Sequence, residues 1–136
     1  MVYRVKKTKS RNRKNNTITQ SEEYLQSQVI KYIKYQYPGI LYCASLGGIR
    51  TSYKQAAKAK STGYVAGMPD LQIMEPTNDY HGLFIELKRN NKCYPSPKQK
   101  AFIEALNKRN YRAVVCKGFD EAKKEIDKYI SCIIQH

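Results

Sequence analysis

Apolar side chains first recur at helical spacing near the start of the chain, where Leu25, Val29 and Ile33, with Tyr32, form one face that runs up to Tyr35. Ser21 or Thr19 can cap a helix beginning at Glu22, and Pro38-Gly39 ends it. On this helix Glu22 falls on the apolar side with Leu25, Gln26, Val29 and Ile33, while Glu23 points about 100° away. A carboxylate on the apolar side is costly unless a cation or a base meets it. A first-turn glutamate also has a simpler account, as a partner of the helix dipole.

Ile40 to Ser45 is short and rich in strand formers, and Gly47-Gly48 after it reads as a turn. A basic helix is expected next, with Arg50, Lys54 and Lys58 in one stripe and Tyr53, Ala56, Ala57 and Lys60 on another face. Such a stripe is either a solvated face or a set of phosphate contacts, so Arg50, Lys54, Lys58 and Lys60 are candidate DNA-binding residues. Gly63 and Gly67 flank Tyr64-Val65-Ala66, where glycine lets the backbone bend sharply or approach a ligand. Pro69 then fixes the entry to a strand over 70–74.

The polar stretch 76–82 reads as a hairpin connection to a second strand, Leu83 to Lys88. Alternation puts Leu83, Ile85 and Leu87 on one face of it and Phe84, Glu86 and Lys88 on the other. Ser96-Pro97-Lys98-Gln99 carries a capping box with proline at the first helical position, and Phe102, Ile103 and Leu106 supply that helix's apolar face. Asn110 can end it. Tyr111 to Cys116 makes a further strand, and Asp120 starts a last helix holding Ala122, Ile126, Tyr129 and Ile130.

The order helix, strand, helix, two strands, helix, strand, helix predicts an α/β fold with a mixed central sheet flanked by helices. The strand after the Ser96 helix is expected to pair parallel to that of Glu86, through a crossover. With 136 residues, 41% of them apolar, the chain can bury one modest core, so residues 20–136 are expected to form a single domain.

Charge changes the picture. The net charge of +14 points to a polyanionic partner, nucleic acid before others. Residues 1–19 hold seven bases (Arg4, Lys6, Lys7, Lys9, Arg11, Arg13 and Lys14) and no acid. A basic stretch with few large apolar residues reads as a flexible arm, either solubilising or DNA-binding. No run is long and apolar enough for a membrane span, and no signal-peptide core is seen, so a soluble intracellular protein is expected. It would sit in the bacterial cytoplasm if phage or bacterial, and could reach the nucleus if eukaryotic. Cys43, Cys93, Cys116 and Cys132 are widely spaced, with His81 and His136 the only histidines, which fits buried free thiols better than a zinc site.

The chemistry concentrates in Gly67-Met68-Pro69-Asp70 and, on the next strand, Glu86-Leu87-Lys88. Phosphodiester hydrolysis needs an in-line water, charge compensation on the phosphoryl oxygens and help for the leaving oxygen. Mg2+, with Mn2+ as a substitute, would be held by hard oxygens: Asp70 and Glu86 directly, the Leu87 backbone carbonyl as a third ligand, and Glu22 through water or a second ion. Lys88 lies about 7 Å beyond Glu86 on the same strand face, within reach of the attacking water or the phosphate. The plain alternative is a charge pair on an exposed strand.

These residues carry a resemblance to the PD-(D/E)xK nuclease superfamily and, within it, to the VRR-NUC family of virus-type replication and repair nucleases. The matching elements are Ser21-Glu22 with Gln26, Val29 and Ile33, then Gly67-Met68-Pro69-Asp70, Glu86-Leu87-Lys88, and Ser96 with Gln99; together they span residues 21 to about 118. The resemblance implies a restriction-endonuclease-like core and makes Glu22, Asp70, Glu86 and Lys88 the active-site acids and lysine. Gln99 takes the family's glutamine near the site, although the capping box explains it equally well. Residues 44–52 depart from the family pattern, in which an asparagine precedes the glycine. Stand-alone members of this size resemble Holliday-junction resolvases, which implies a homodimeric, Mg2+-dependent DNA endonuclease acting on branched or nicked duplex in replication, recombination or repair. A site-specific endonuclease of homing or restriction type on the same fold is one alternative. A non-catalytic basic nucleic-acid-binding protein is the other.

Overall fold

The computed structural model describes residues 21–45 and 52–133, so the basic segment 1–19 and Arg50 lie outside the described residues. Ser21, not Thr19, caps α1 (Glu22–Gln36), its hydroxyl accepting the Tyr24 N–H at 3.1 Å. There follow β1 (Tyr42–Ala44), α2 (Tyr53–Ser61), β2 (Leu71–Ile73), β3 (Leu83–Lys88), α3 (Pro97–Asn107), β4 (Arg112–Lys117) and α4 (Phe119–Ile130). The expected order holds. β1 and β2 are shorter than the apolar pattern suggested, though single backbone bonds extend their pairing, Met74 N–H to Leu41 O at 2.9 Å and Ser45 N–H to Asp70 O at 2.8 Å. The basic helix is capped by Ser52, whose capping box with Gln55 sets its start at Tyr53, and it buries no residue.

The four strands lie in the order β1-β2-β3-β4, antiparallel except for β3 and β4, which run parallel with Glu86 opposite Val115. α1 and α4 cover one face, where Leu25, Val29 and Ile33 of α1 meet Leu71, Ile73, Leu83, Ile85 and Leu87 of the sheet and Ala122 and Ile126 of α4. α3 covers the other face, where Leu106 packs with Phe84 and Ala113. Every residue of the central strand β3 is buried, and each of its three leucine and isoleucine side chains on the α1 face contributes about 2 kcal/mol by leaving water.

A polar cluster around Asp127 ties the α1 segment to α4. Asp127 accepts the Tyr32 hydroxyl at 2.5 Å, the Tyr37 hydroxyl at 2.6 Å and the Lys123 ammonium at 2.9 Å. Burial alone would raise the Asp127 pKa, but these three donors more than offset it and hold the carboxyl below its ordinary range.

The cysteines are free, but buried thiols are not the rule. Cys116 is buried, Cys93 partly so, and Cys43 and Cys132 are exposed. Cys43 sits at the outward position of an edge strand and Cys132 beyond the end of α4, so neither can reach the core. Among the described residues no helix is long and apolar enough to cross a membrane.

Candidate active site

Asp70 stands one residue before β2, at the end of a loop whose path is set by Gly67. That glycine has φ +97, and a Cβ on it would come within 2.6 Å of the Lys98 carbonyl oxygen. The close approach is therefore between two backbones, the loop and the first turn of α3, and not toward a ligand. Gly63 has φ +109 in open space, where it serves the turn that leaves α2. Asp70 Oδ2 accepts the Leu87 N–H at 2.8 Å, so its carboxylate takes the place of a ladder partner where β2 has stopped pairing.

Glu86 and Lys88 project from the same face of β3, with side chains only 2% and 9% exposed, and Lys88 Nζ lies 3.1 Å from Glu86 Oε1. This excludes an ordinary pair on a solvated strand. A buried pair of this kind is a poor stabiliser, because desolvation cancels most of its attraction.

Gln99 caps α3 and also touches the acidic cluster. Its Oε1 accepts the Ser96 N–H at 2.7 Å, completing the capping box of α3, and its Nε2 donates to Glu86 Oε1 at 2.7 Å. The cap dictates the amide's orientation, since an N–H can face only the oxygen, and the NH2 is thereby aimed at Glu86.

Glu22 reaches the cluster from the first turn of α1, its Oε1 3.9 Å from Lys88 Nζ. It is not a core-side carboxylate: its side chain is 47% exposed. The helical wheel places it on the apolar side, but it lies a full turn before the first buried residue, Leu25.

Three acids thus face one base. Burial, then the nearby Asp70 charge, pushes Glu86 up to about 7 against the pull of Lys88. Burial also raises Asp70, assisted by Glu22 and opposed by the Leu87 N–H and Lys88. A cation beside these two carboxylates would offset the cost of their charged forms.

The donor set fits a hard divalent ion. Glu86 Oε1 is taken by Lys88 and Gln99, while Glu86 Oε2 is buried and has no hydrogen-bond partner among the described residues. Asp70 keeps Oδ1 beyond its bond to Leu87. The Lys88 carbonyl accepts from Gly118 on the β4 side, so Leu87, whose backbone groups face the opposite edge, turns its carbonyl toward Asp70's side. Among the described residues no group of three or more acids, histidines or cysteines is arranged to hold a metal ion, so Glu22 does not complete a ligand set with Asp70 and Glu86. The fold brings Asp70 and Glu86 together, and Glu22 joins them through Lys88.

The basic helix is not drawn into this cluster. Lys54, Lys58 and Lys60 are exposed on α2 and make no ion pair among the described residues. One site residue escaped the sequence reading. Ser45, anchored to the Asp70 carbonyl by its N–H, lines the same pocket as Glu22 and Asp70 and buries a hydroxyl that has no hydrogen-bond partner among the described residues. Its only sequence signal is a hydroxyl at a strand end.

The family model of the VRR-NUC domain matches residues 7–120, reaching back into the basic N-terminal segment. A solved structure titled "VRR_NUC domain protein" is 37% identical, with a TM-score of 0.70 over 82% of this chain and 88% of that one. Another, titled "VRR_NUC domain", is 25% identical over 76% of this chain and 95% of that one, with a TM-score of 0.47. No curated protein matches the chain. A mixed sheet with an acid-acid-lysine cluster, the family match over residues 7–120 and the 37% identical structure agree: the chain belongs to the VRR-NUC family, a family of nucleases.

Proposed function

We propose that the protein is a Mg2+-dependent DNA endonuclease, selective for branched or nicked duplex and active as a homodimer. The observation that carries the reading is the buried Oε2 of Glu86, without a hydrogen-bond partner among the described residues, beside Asp70 and with Lys88 on the same strand face. Asp70, Glu86 and the Leu87 carbonyl would hold the ion, with Glu22 at its margin; Mn2+ offers similar coordination chemistry. A bound ion supplies charge compensation for the phosphoryl oxygens and acidifies water.

The chain's own residues supply the rest. Lys88 presents an ammonium beside the carboxylates, where it can hydrogen-bond an incoming water or a phosphoryl oxygen and offset charge in the transition state. Gln99 holds Glu86 Oε1, which leaves Oε2 as the free oxygen. Two sites on a dimer would match the two strands of a junction, and the net charge of +14 favours the polyanionic substrate.

The test is to incubate the protein with four-way junction, flap, nicked and linear DNA, in Mg2+, Mn2+ or EDTA, beside Asp70→Asn. Asparagine still offers the Leu87 N–H an oxygen, so the fold is retained while the charge is lost. Cleavage of branched DNA that needs the metal and falls about a thousandfold in Asp70→Asn is expected. Equal cutting by both proteins would remove the site, and equal cutting of branched and linear DNA would remove the structure selectivity.

A further inference from the structure

A groove of about 400 Å³ runs from the carboxylate cluster along α1. Glu22, Asp70 and Ser45 line its acidic end and Lys31 and Lys34 its basic end, with Ile30 between them. Steps of three and four residues along α1 keep these side chains on one strip of the helix. The strip from Glu22 to Lys34 is about 18 Å long at 1.5 Å per residue, enough for several nucleotides of one strand.

The two ends differ in a way that suits a phosphodiester chain. Lys31 and Lys34 are exposed and make no ion pair among the described residues. At the other end the Ser45 hydroxyl is buried and has no hydrogen-bond partner among the described residues, a group that an oxygen-rich ligand reaching it would satisfy. Glu23 also lines the groove near Glu22, so a phosphate is repelled at this end unless a cation is bound. That contrast would order a bound strand, with the phosphate nearest the carboxylates at a bound cation and more distant ones at the lysines.

We propose that this groove is the track of one DNA strand leaving the scissile phosphate, with Ser45, Lys31 and Lys34 as contacts to its sugar-phosphate backbone. The assignment rests on the nuclease reading of the adjoining site and adds to it the path of the substrate. Lysines act as point charges and the serine hydroxyl reads no base edge, so these contacts position the strand without selecting its sequence.

The test is binding without cleavage. Wild type, Lys31→Ala/Lys34→Ala and Ser45→Ala are titrated with Ca2+ in place of Mg2+, so that the carboxylate end carries a cation, against labelled four-way junction and linear duplex over a range of salt, with gels to confirm that the DNA stays intact and circular dichroism to confirm folding. The lysine pair should flatten the plot of log K against log salt by about 1.4–1.8, two phosphates' worth of released counterions. Ser45→Ala should weaken binding about three- to tenfold with an unchanged slope, since a neutral hydroxyl releases no counterion. A slope change no larger than that of Lys108→Ala/Lys124→Ala, which removes two exposed lysines outside the groove, would overturn the track. Wild type that cuts DNA while the groove variants bind normally leaves the nuclease and refutes the groove. Variants that lose the expected slope in a protein that never cuts support the groove and refute the nuclease.

Discussion

Gln99 bridges Ser96 and Glu86: its amide oxygen accepts the Ser96 N–H and its amide nitrogen donates to Glu86 Oε1, both at 2.7 Å. A helix cap and a candidate metal ligand therefore share one side chain, and the helix start fixes the carboxylate.

The two roles separate on substitution. Gln99→Glu keeps an acceptor for the Ser96 N–H but sets a second carboxylate against Glu86, whereas Gln99→Ala loses both contacts. Gln99→Ala should cost about 1 kcal/mol of stability through the cap. Gln99→Glu should stay folded yet lose at least about tenfold in cleavage rate, as a misplaced charge at the reacting centre would require. Full activity in Gln99→Glu, with thermal melts as the control, would reduce Gln99 to a cap.

The raised pKa of Glu86 gives a pH signature. Its folded value of about 7 exceeds its ordinary 4.5, so between these pH values the folded chain holds a proton that the unfolded chain has released. Stability then falls as pH rises through this window, by about 3 kcal/mol, and levels off above it. Asp70 shifts the same way. A cation binds the ionised carboxylates, so the stabilisation given by Mg2+ should grow from pH 5.5 to pH 8 in thermal melts. A Mg2+ effect that does not change with pH would count against these ligands.

Lys88 is the nearest compensating charge for Glu86. Lys88→Met should destabilise the metal-free protein by about 3 kcal/mol, because a buried carboxylate is left without its partner. Adding Glu86→Gln should recover most of that loss while cleavage stays absent. A double variant no more stable than Lys88→Met in urea unfolding would show that the pair is not coupled.

Gly67 and Gly63 offer a matched comparison. Both have positive φ, but only Gly67 has a backbone carbonyl where its Cβ would go. Gly63→Ala should cost about 1 kcal/mol for the strained backbone alone. Gly67→Ala should cost about 3 kcal/mol and lower cleavage as well, since the loop that carries Asp70 must lift from α3. Equal losses in denaturant unfolding would mean that the loop yields freely.

Much of this was readable along the chain, for local reasons. The period of Leu25, Val29 and Ile33, the alternation through Leu83 to Lys88 and the Ser96-Gln99 cap depend on neighbours a few residues apart, and each element formed where those signals lay. The spacing of Asp70, Glu86 and Lys88 with their flanking motifs was enough to mark a resemblance to the VRR-NUC family. Strand lengths were less legible, because β1 and β2 end where their partners stop pairing.

Contacts between distant segments belong to the tertiary structure alone. That Asp127 gathers Tyr32 and Tyr37, that Gly67 yields to the Lys98 carbonyl, and that Ser45 lies beside Asp70 follow from packing across the sheet and its two helical layers, which no local period encodes. The burial of Glu86 and Lys88 is of the same kind. The sequence by itself determined that an acid, a second acid and a lysine would occupy neighbouring strand positions; only the covering of β3 on both faces took Glu86 and Lys88 out of water, and desolvation is what raises the pKa of Glu86 and of Asp70.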